Sequence, residues 1–114
     1  MQRDLPKNDI SLLILSVLME GNRHGYAIAR EIERMSSDTL KMREGTLYPA
    51  LRILEQDEMI QSHWETPERG PARKIYTLTQ KGRMEQTKRA QEWRQYASVI
   101  GAIVGGKRPD ENPI

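Results

Sequence analysis

Between residues 57 and 79 the spacing of apolar side chains changes twice, and that change bounds the folds open to the chain. Up to residue 57 the apolar positions recur at the helical interval. A first helix is expected over 10–20, with Asp9 as its N-cap and Ile10, Leu13, Ile14, Val17 and Leu18 on one face, stopped by Gly21-Asn22. A second spans about 24–36, where Ala27, Ile28, Ile32 and Met35 form a stripe and Arg30, Glu31, Glu33 and Arg34 face away. A third covers about 46–57, burying Leu47, Leu51 and Leu54 and turning Thr46, Tyr48, Pro49, Arg52 and Gln56 outward. Pro49 is tolerated there if it lies in the first turn, where its missing N–H is unbonded anyway.

The interval then becomes two. Ile60, Ser62 and Trp64 alternate with Gln61, His63 and Glu65, the signature of a strand. Pro67-Glu68-Arg69-Gly70-Pro71 is dense in turn formers, and residues 73–79 make a second strand containing Ile75, Tyr76 and Thr77. The helical interval returns after Thr79, which caps a last helix over 80–104, followed by Gly105-Gly106. Helix, helix, helix, hairpin, helix is a mostly α (α+β) class: a winged helix-turn-helix with a two-stranded wing and a long C-terminal dimerisation helix. The corresponding division is a flexible arm at 1–8, a binding domain at 9–79, the dimerisation helix at 80–104 and a disordered tail at 105–114.

Charge is unevenly divided. Residues 1–60 hold 8 basic and 10 acidic side chains, and residues 61–114 hold 10 and 6, so the total of +2 conceals −2 followed by +4. The excess lies in Arg69, Arg73, Lys74, Lys81, Arg83, Lys88 and Arg89, as on a surface that faces a polyanion. On the third helix, Thr46, Tyr48 and Arg52 share an outward surface that suits base edges and phosphates, and Arg52 suits a bidentate guanine contact. Lys41 and Arg43, just before it, are placed to hold phosphates, and Arg69, Arg73 and Lys74 flank the hairpin turn where a wing meets the backbone.

The last helix is too long for its body. About 25 residues run roughly 37 Å, and Ala90, Trp93, Ala97, Ile100 and Val104 make a heptad-like seam widened by Tyr96, Val99 and Ile103. Only 37% of the chain is apolar, so a core completed by a second copy accounts for both the length and the composition. Trp93 on that seam is an interface anchor or the wall of a site for a planar aromatic ligand.

Other classes are excluded or disfavoured. With no Cys there is no disulfide, thiolate zinc site or cysteine nucleophile. His24 and His63 are the only histidines, Ser36-Ser37 has no base near it in sequence, and no phosphate-binding glycine loop occurs. No catalytic residue, metal or cofactor is therefore expected. Residues 1–20 lack a basic stretch leading to a cleavage site, and the apolar runs at 12–15 and 102–104 are far short of a membrane span, so a soluble cytoplasmic protein is the expectation.

Three motifs sharpen this reading: His24-Gly25-Tyr26; Glu44-Gly45-Thr46-Leu47-Tyr48-Pro49-Ala50-Leu51 with Leu54-Glu55; and Gly70-Pro71-Ala72-Arg73-Lys74-Ile75-Tyr76-Thr77-Leu78-Thr79 with Gly82. In this order and spacing they resemble PadR-type transcriptional regulators, in the short subgroup with a single C-terminal helix. The resemblance implies a homodimeric repressor on a pseudo-palindromic double-stranded operator, released in some members by a small aromatic effector. Carried over by motif, Tyr26, Thr46, Tyr48 and Arg52 meet DNA with Arg73 and Lys74 in the wing, and Trp93 stands where some members stack ligands. The chain departs from the family pattern at Ile53, where a basic residue is usual, at Glu58, where glycine ends the third helix, and at Ile75-Tyr76, where paired aromatics are common. The alternative is a winged-helix protein–protein interaction module without DNA binding.

Overall fold

The computed structural model describes residues 7–106. α1 (Lys7–Leu18) runs through the middle of the molecule because it is apolar on almost every side. Ile10, Ile14, Leu15, Val17 and Leu18 are buried, and the helix packs against α2 (Gly25–Met35), α3 (Glu44–Gln56) and α4 (Gln80–Val104). α1 begins earlier than the sequence suggests, so Asp9 sits inside its first turn instead of capping it. Most of the expected arm and tail lies outside the described residues. Of those segments, Lys7 and Asn8 are already helical and Gly105-Gly106 form a turn.

The sheet has three strands. β1 (Arg23–His24), β2 (Ile60–Glu65) and β3 (Arg73–Leu78) are all antiparallel, in the order β1-β3-β2. The hairpin β2–β3 is in register from Ile60 opposite Leu78 to Glu65 opposite Arg73. β1 adds Arg23 opposite Tyr76 and His24 opposite Ile75. Two residues carry no period, so β1 has no signature of its own and exists because β3 offers it an unpaired edge. Burial along β2 falls away from Ile60 to Trp64, which is 68% exposed, because the outer half of the wing projects past the core.

Two helix ends use left-handed residues other than glycine. After α2, Ser37 and Asp38 have φ of 53° and 62°, and their N–H groups close on Arg34 and Glu33 carbonyls at 3.0 and 2.8 Å. After α3, Glu58 has φ 61°. Its N–H bonds the Glu55 carbonyl at 3.0 Å, and Met59 N–H bonds that of Leu54 at 2.9 Å, with the Leu54 and Met59 side chains both buried. The glycine-type stop therefore forms at Glu58 despite its side chain. Three details differ from the sequence expectation. Met35 is exposed, the buried face of α2 being Gly25, Ile28, Ala29 and Ile32. His24 precedes α2 as its cap. α3 starts at Glu44, which puts Pro49 in its second turn and denies the Gly45 carbonyl its helical donor.

α4 begins where Thr79 suggests. Thr79 Oγ1 accepts from Gly82 N–H at 3.0 Å and donates to the Glu58 carbonyl at 2.7 Å. Gly82 lies against the Met59 carbonyl so closely that a Cβ there would be 2.0 Å from its oxygen. The first half of α4 packs on α1, with Gln86 Nε2 donating to Ser16 Oγ at 3.2 Å. The second half leaves the body, and the molecule measures 61 × 32 × 23 Å.

Candidate nucleic-acid interface

The exposed side of α3 carries Thr46, Tyr48, Arg52 and Ile53, opposite the buried Leu47, Leu51 and Leu54. Tyr48 leans toward the start of α2. Its ring lies on Gly25, where an added Cβ would be 3.0 Å from Cε1, so a larger residue there would oblige the exposed Tyr48 ring to shift. Tyr26 projects beside it, 61% exposed, with the Arg30 guanidinium 5.8 Å from its ring centre.

Between these helices and the wing opens a cavity of about 560 Å³. Five of the residues expected to meet nucleic acid line it: Tyr26, Tyr48, Arg52, Arg73 and Lys74. The other four do not. Lys41 is 3.8 Å from Asp38, Arg43 stands at the start of α3, Thr46 lies along the helix away from the wing, and Arg69 is in the turn at the wing tip.

Five lining residues went unrecognised in the sequence as parts of this surface: His24, Gly25, Glu55, Trp64 and Tyr76. Glu55 links α3 to both wing strands. It accepts a hydrogen bond from Ser62 Oγ on β2 and pairs with Lys74 Nζ on β3 at 3.6 Å. Lys74 also sits 5.7 Å from the centre of the Tyr76 ring. Burial pushes the Tyr76 phenol above its ordinary pKa, and the nearby Glu55 charge adds to the effect. Lys74 is thus held inward, whereas among the described residues Arg73 has no carboxylate within ion-pair distance. No signal in the sequence places Glu55 beside Lys74, because their contact depends on how the wing folds back. His24 is legible only as part of the His24-Gly25-Tyr26 motif.

The seam on α4 is open. Ala90 and Ala97 are half-buried, while Trp93, Ile100 and Val104 are exposed, Trp93 at 54%. Trp93 and Ala90 border a cavity of about 380 Å³ with Leu12, Leu13 and Leu40. Among the described residues no group of His, Asp or Glu could hold a metal, and no helix is long and apolar enough to cross a membrane.

Helices presenting Tyr26, Tyr48 and Arg52 outward, a β-hairpin wing beside them and a long C-terminal helix define a winged-helix regulator. Residues 14–88 match the transcriptional regulator PadR-like family, and the chain belongs to it. It is 27% identical over 103 residues to uncharacterized protein X of Lysinibacillus sphaericus, covering 90% of this chain and 94% of that one. A transcriptional regulator from Clostridium thermocellum superposes with a TM-score of 0.79 at 28% identity, over 86% of this chain and 92% of the other. A PadR family transcription regulator from Clostridium difficile gives 0.75 at 32%, over 83% and 97%. Family and fold are those of transcriptional regulators, which are not enzymes.

Proposed function

We propose that this chain is a sequence-specific repressor that binds a pseudo-palindromic DNA operator as a homodimer. The observation that carries the reading is the convergence of Tyr26, Tyr48, Arg52 and Arg73 on one cavity between α2, α3 and the wing. α3 enters the major groove, Arg52 and Thr46 face base edges, and Tyr26, Lys41, Arg43, Arg69 and Arg73 hold phosphates on either side. Lys74 supports the wing from within through Glu55. The DNA-binding part is 9–79, and 80–104 pairs with the same helix of a second copy through Ala90, Trp93, Ala97, Ile100 and Val104. A small aromatic effector fits beside Trp93, where Leu12, Leu13 and Leu40 supply apolar walls.

Selection of duplexes from a random pool tests the reading. Enrichment of a two-fold-related site, with half-sites about 34 Å apart or a multiple of that, is expected. Enrichment of no site, or of an asymmetric one, overturns it in favour of a protein–protein module or a monomeric binder. On the selected site, transcription by RNA polymerase in vitro is expected to fall as the protein is added. Arg52→Ala is expected to relax base preference at one position per half-site, an effect of about 1–3 kcal/mol on discrimination.

A further inference from the structure

His24 makes two contacts that a neutral imidazole cannot satisfy together. Its Nδ1 accepts the Ala27 N–H at 3.3 Å, and this bond caps α2. Its Nε2 lies 3.4 Å from Nη1 of Arg73, across the β1–β3 pairing. A ring nitrogen that accepts carries a lone pair, so the ring is neutral and its single proton is on Nε2. Nε2–H and the Arg73 guanidinium are then two donors aimed at one place. The other tautomer only moves the conflict, setting Nδ1–H against the Ala27 N–H at the part-buried base of the helix. The first arrangement keeps the cap and puts the unmatched donors on the exposed side, facing the cavity that Tyr48 and Trp64 also line.

We propose that His24 and Arg73 form a notch for one anionic phosphate oxygen, which accepts from Nε2–H and from the guanidinium at once. The chemistry suits a phosphodiester of the duplex backbone and equally a free phosphate. The assignment to the backbone rests on the DNA-binding reading above. Arg73 is available for it because no carboxylate among the described residues pairs with it, whereas the neighbouring Lys74 is taken up by Glu55. Each partner has a distinct duty. Arg73 brings the charge, and His24 brings a neutral donor that fixes where the oxygen sits relative to α2.

That division makes the test specific. His24→Asn keeps an acceptor at a position where Asn is a preferred cap, while its carboxamide N–H is one bond too short to stand where Nε2–H donates, and Arg73→Ala removes the charge. Binding is measured against salt on the selected duplex, and on a set of the same duplexes carrying one uncharged methylphosphonate each. Arg73→Ala is expected to lower the slope of log K against log salt by about 0.9 per protomer. His24→Asn is expected to weaken binding about tenfold with the slope unchanged, as for loss of one hydrogen bond to a charged group. At one phosphate position the methylphosphonate is expected to weaken the wild type about tenfold or more and to leave a variant carrying both His24→Asn and Arg73→Ala unaffected. In a second arm, inorganic phosphate is added to the free protein at constant ionic strength while the His24 ring nitrogens are followed by NMR. A shift of Nε2 that Arg73→Ala abolishes is expected.

The outcomes separate. DNA binding in which no single phosphate couples to both residues, together with silence toward inorganic phosphate, overturns the notch and leaves the DNA-binding reading standing. Absence of DNA binding with the phosphate response intact overturns that reading and leaves the notch as a free-phosphate site. DNA binding without phosphate coupling, but with the inorganic phosphate response, overturns the assignment to the backbone and supports the notch for free anion alone.

Discussion

Glu58 occupies a backbone conformation that suits glycine. Its φ of 61° is required by the two bonds that close α3, and a side chain there costs roughly 1 kcal/mol against glycine. Glu58→Gly removes that strain and adds some freedom to the unfolded chain, so the net expectation is a gain of about 0.5–1 kcal/mol, read as a higher urea midpoint at unchanged slope. Glu58→Ala keeps a Cβ and should bring no such gain. Equal gains from Ala and Gly would place the strain in the carboxylate rather than the backbone. Because Glu58 replaces a usual glycine, this residue is legible in the sequence as an oddity. That the left-handed turn forms regardless is not, because the outcome depends on Leu54 and Met59 both being buried and on Thr79 binding the Glu58 carbonyl.

Among the elements, the wing and α3 behave as one piece because Glu55 bonds to Ser62 on one strand and Lys74 on the other. On the proposed reading, a carboxylate beside bound phosphates is costly unless it neutralises something. Here it pairs with Lys74 at 3.6 Å. On the proposed reading Glu55→Gln keeps the Ser62 bond and frees Lys74, so non-specific binding should strengthen and the salt slope steepen by about 0.9 per protomer. The added change Lys74→Met should return the slope to its starting value, and an unsteepened slope in Glu55→Gln would show that Lys74 already meets DNA. At this scale α2 and α3 were legible because each buries a face with a 3.6-residue repeat, and the hairpin because Ile60, Ser62 and Trp64 alternate. β1 was not, since its pairing to β3 joins residues some fifty positions apart without any pattern in Arg23-His24. The same distance hid His24 from the candidate site, and Glu55 was hidden because its contact with Lys74 depends on how the wing folds back, while Tyr48 and Arg52 were visible as outward positions of one helix.

For the whole molecule the open half of α4 is decisive. Ile103 and Val104 are 71% and 81% exposed, a large apolar surface for the end of a helix in water. The proposed homodimer covers it. Ile100→Asp with Ile103→Asp is expected to give a monomer by sedimentation equilibrium at micromolar concentration and to weaken binding to a two-half-site duplex by at least 100-fold, with half-site binding retained. A variant that remained dimeric would place the interface elsewhere. The length of α4 was readable from its heptad-like repeat, but its angle to the body was not, for that depends on Gly82 resting on the Met59 carbonyl and on the packing of the first half of α4 against α1.

That seating has a mechanical meaning. If the dimer is joined through α4, each body is carried on a helix of about 37 Å, seated where Gly82 meets the Met59 carbonyl and where its first half packs on α1. A tilt of about 5° at the seat displaces the far end by about 3 Å, close to the rise of one base pair. In a dimer joined this way, the number of base pairs accepted between two half-sites would depend on that seat, which a methyl group at position 82 would disturb.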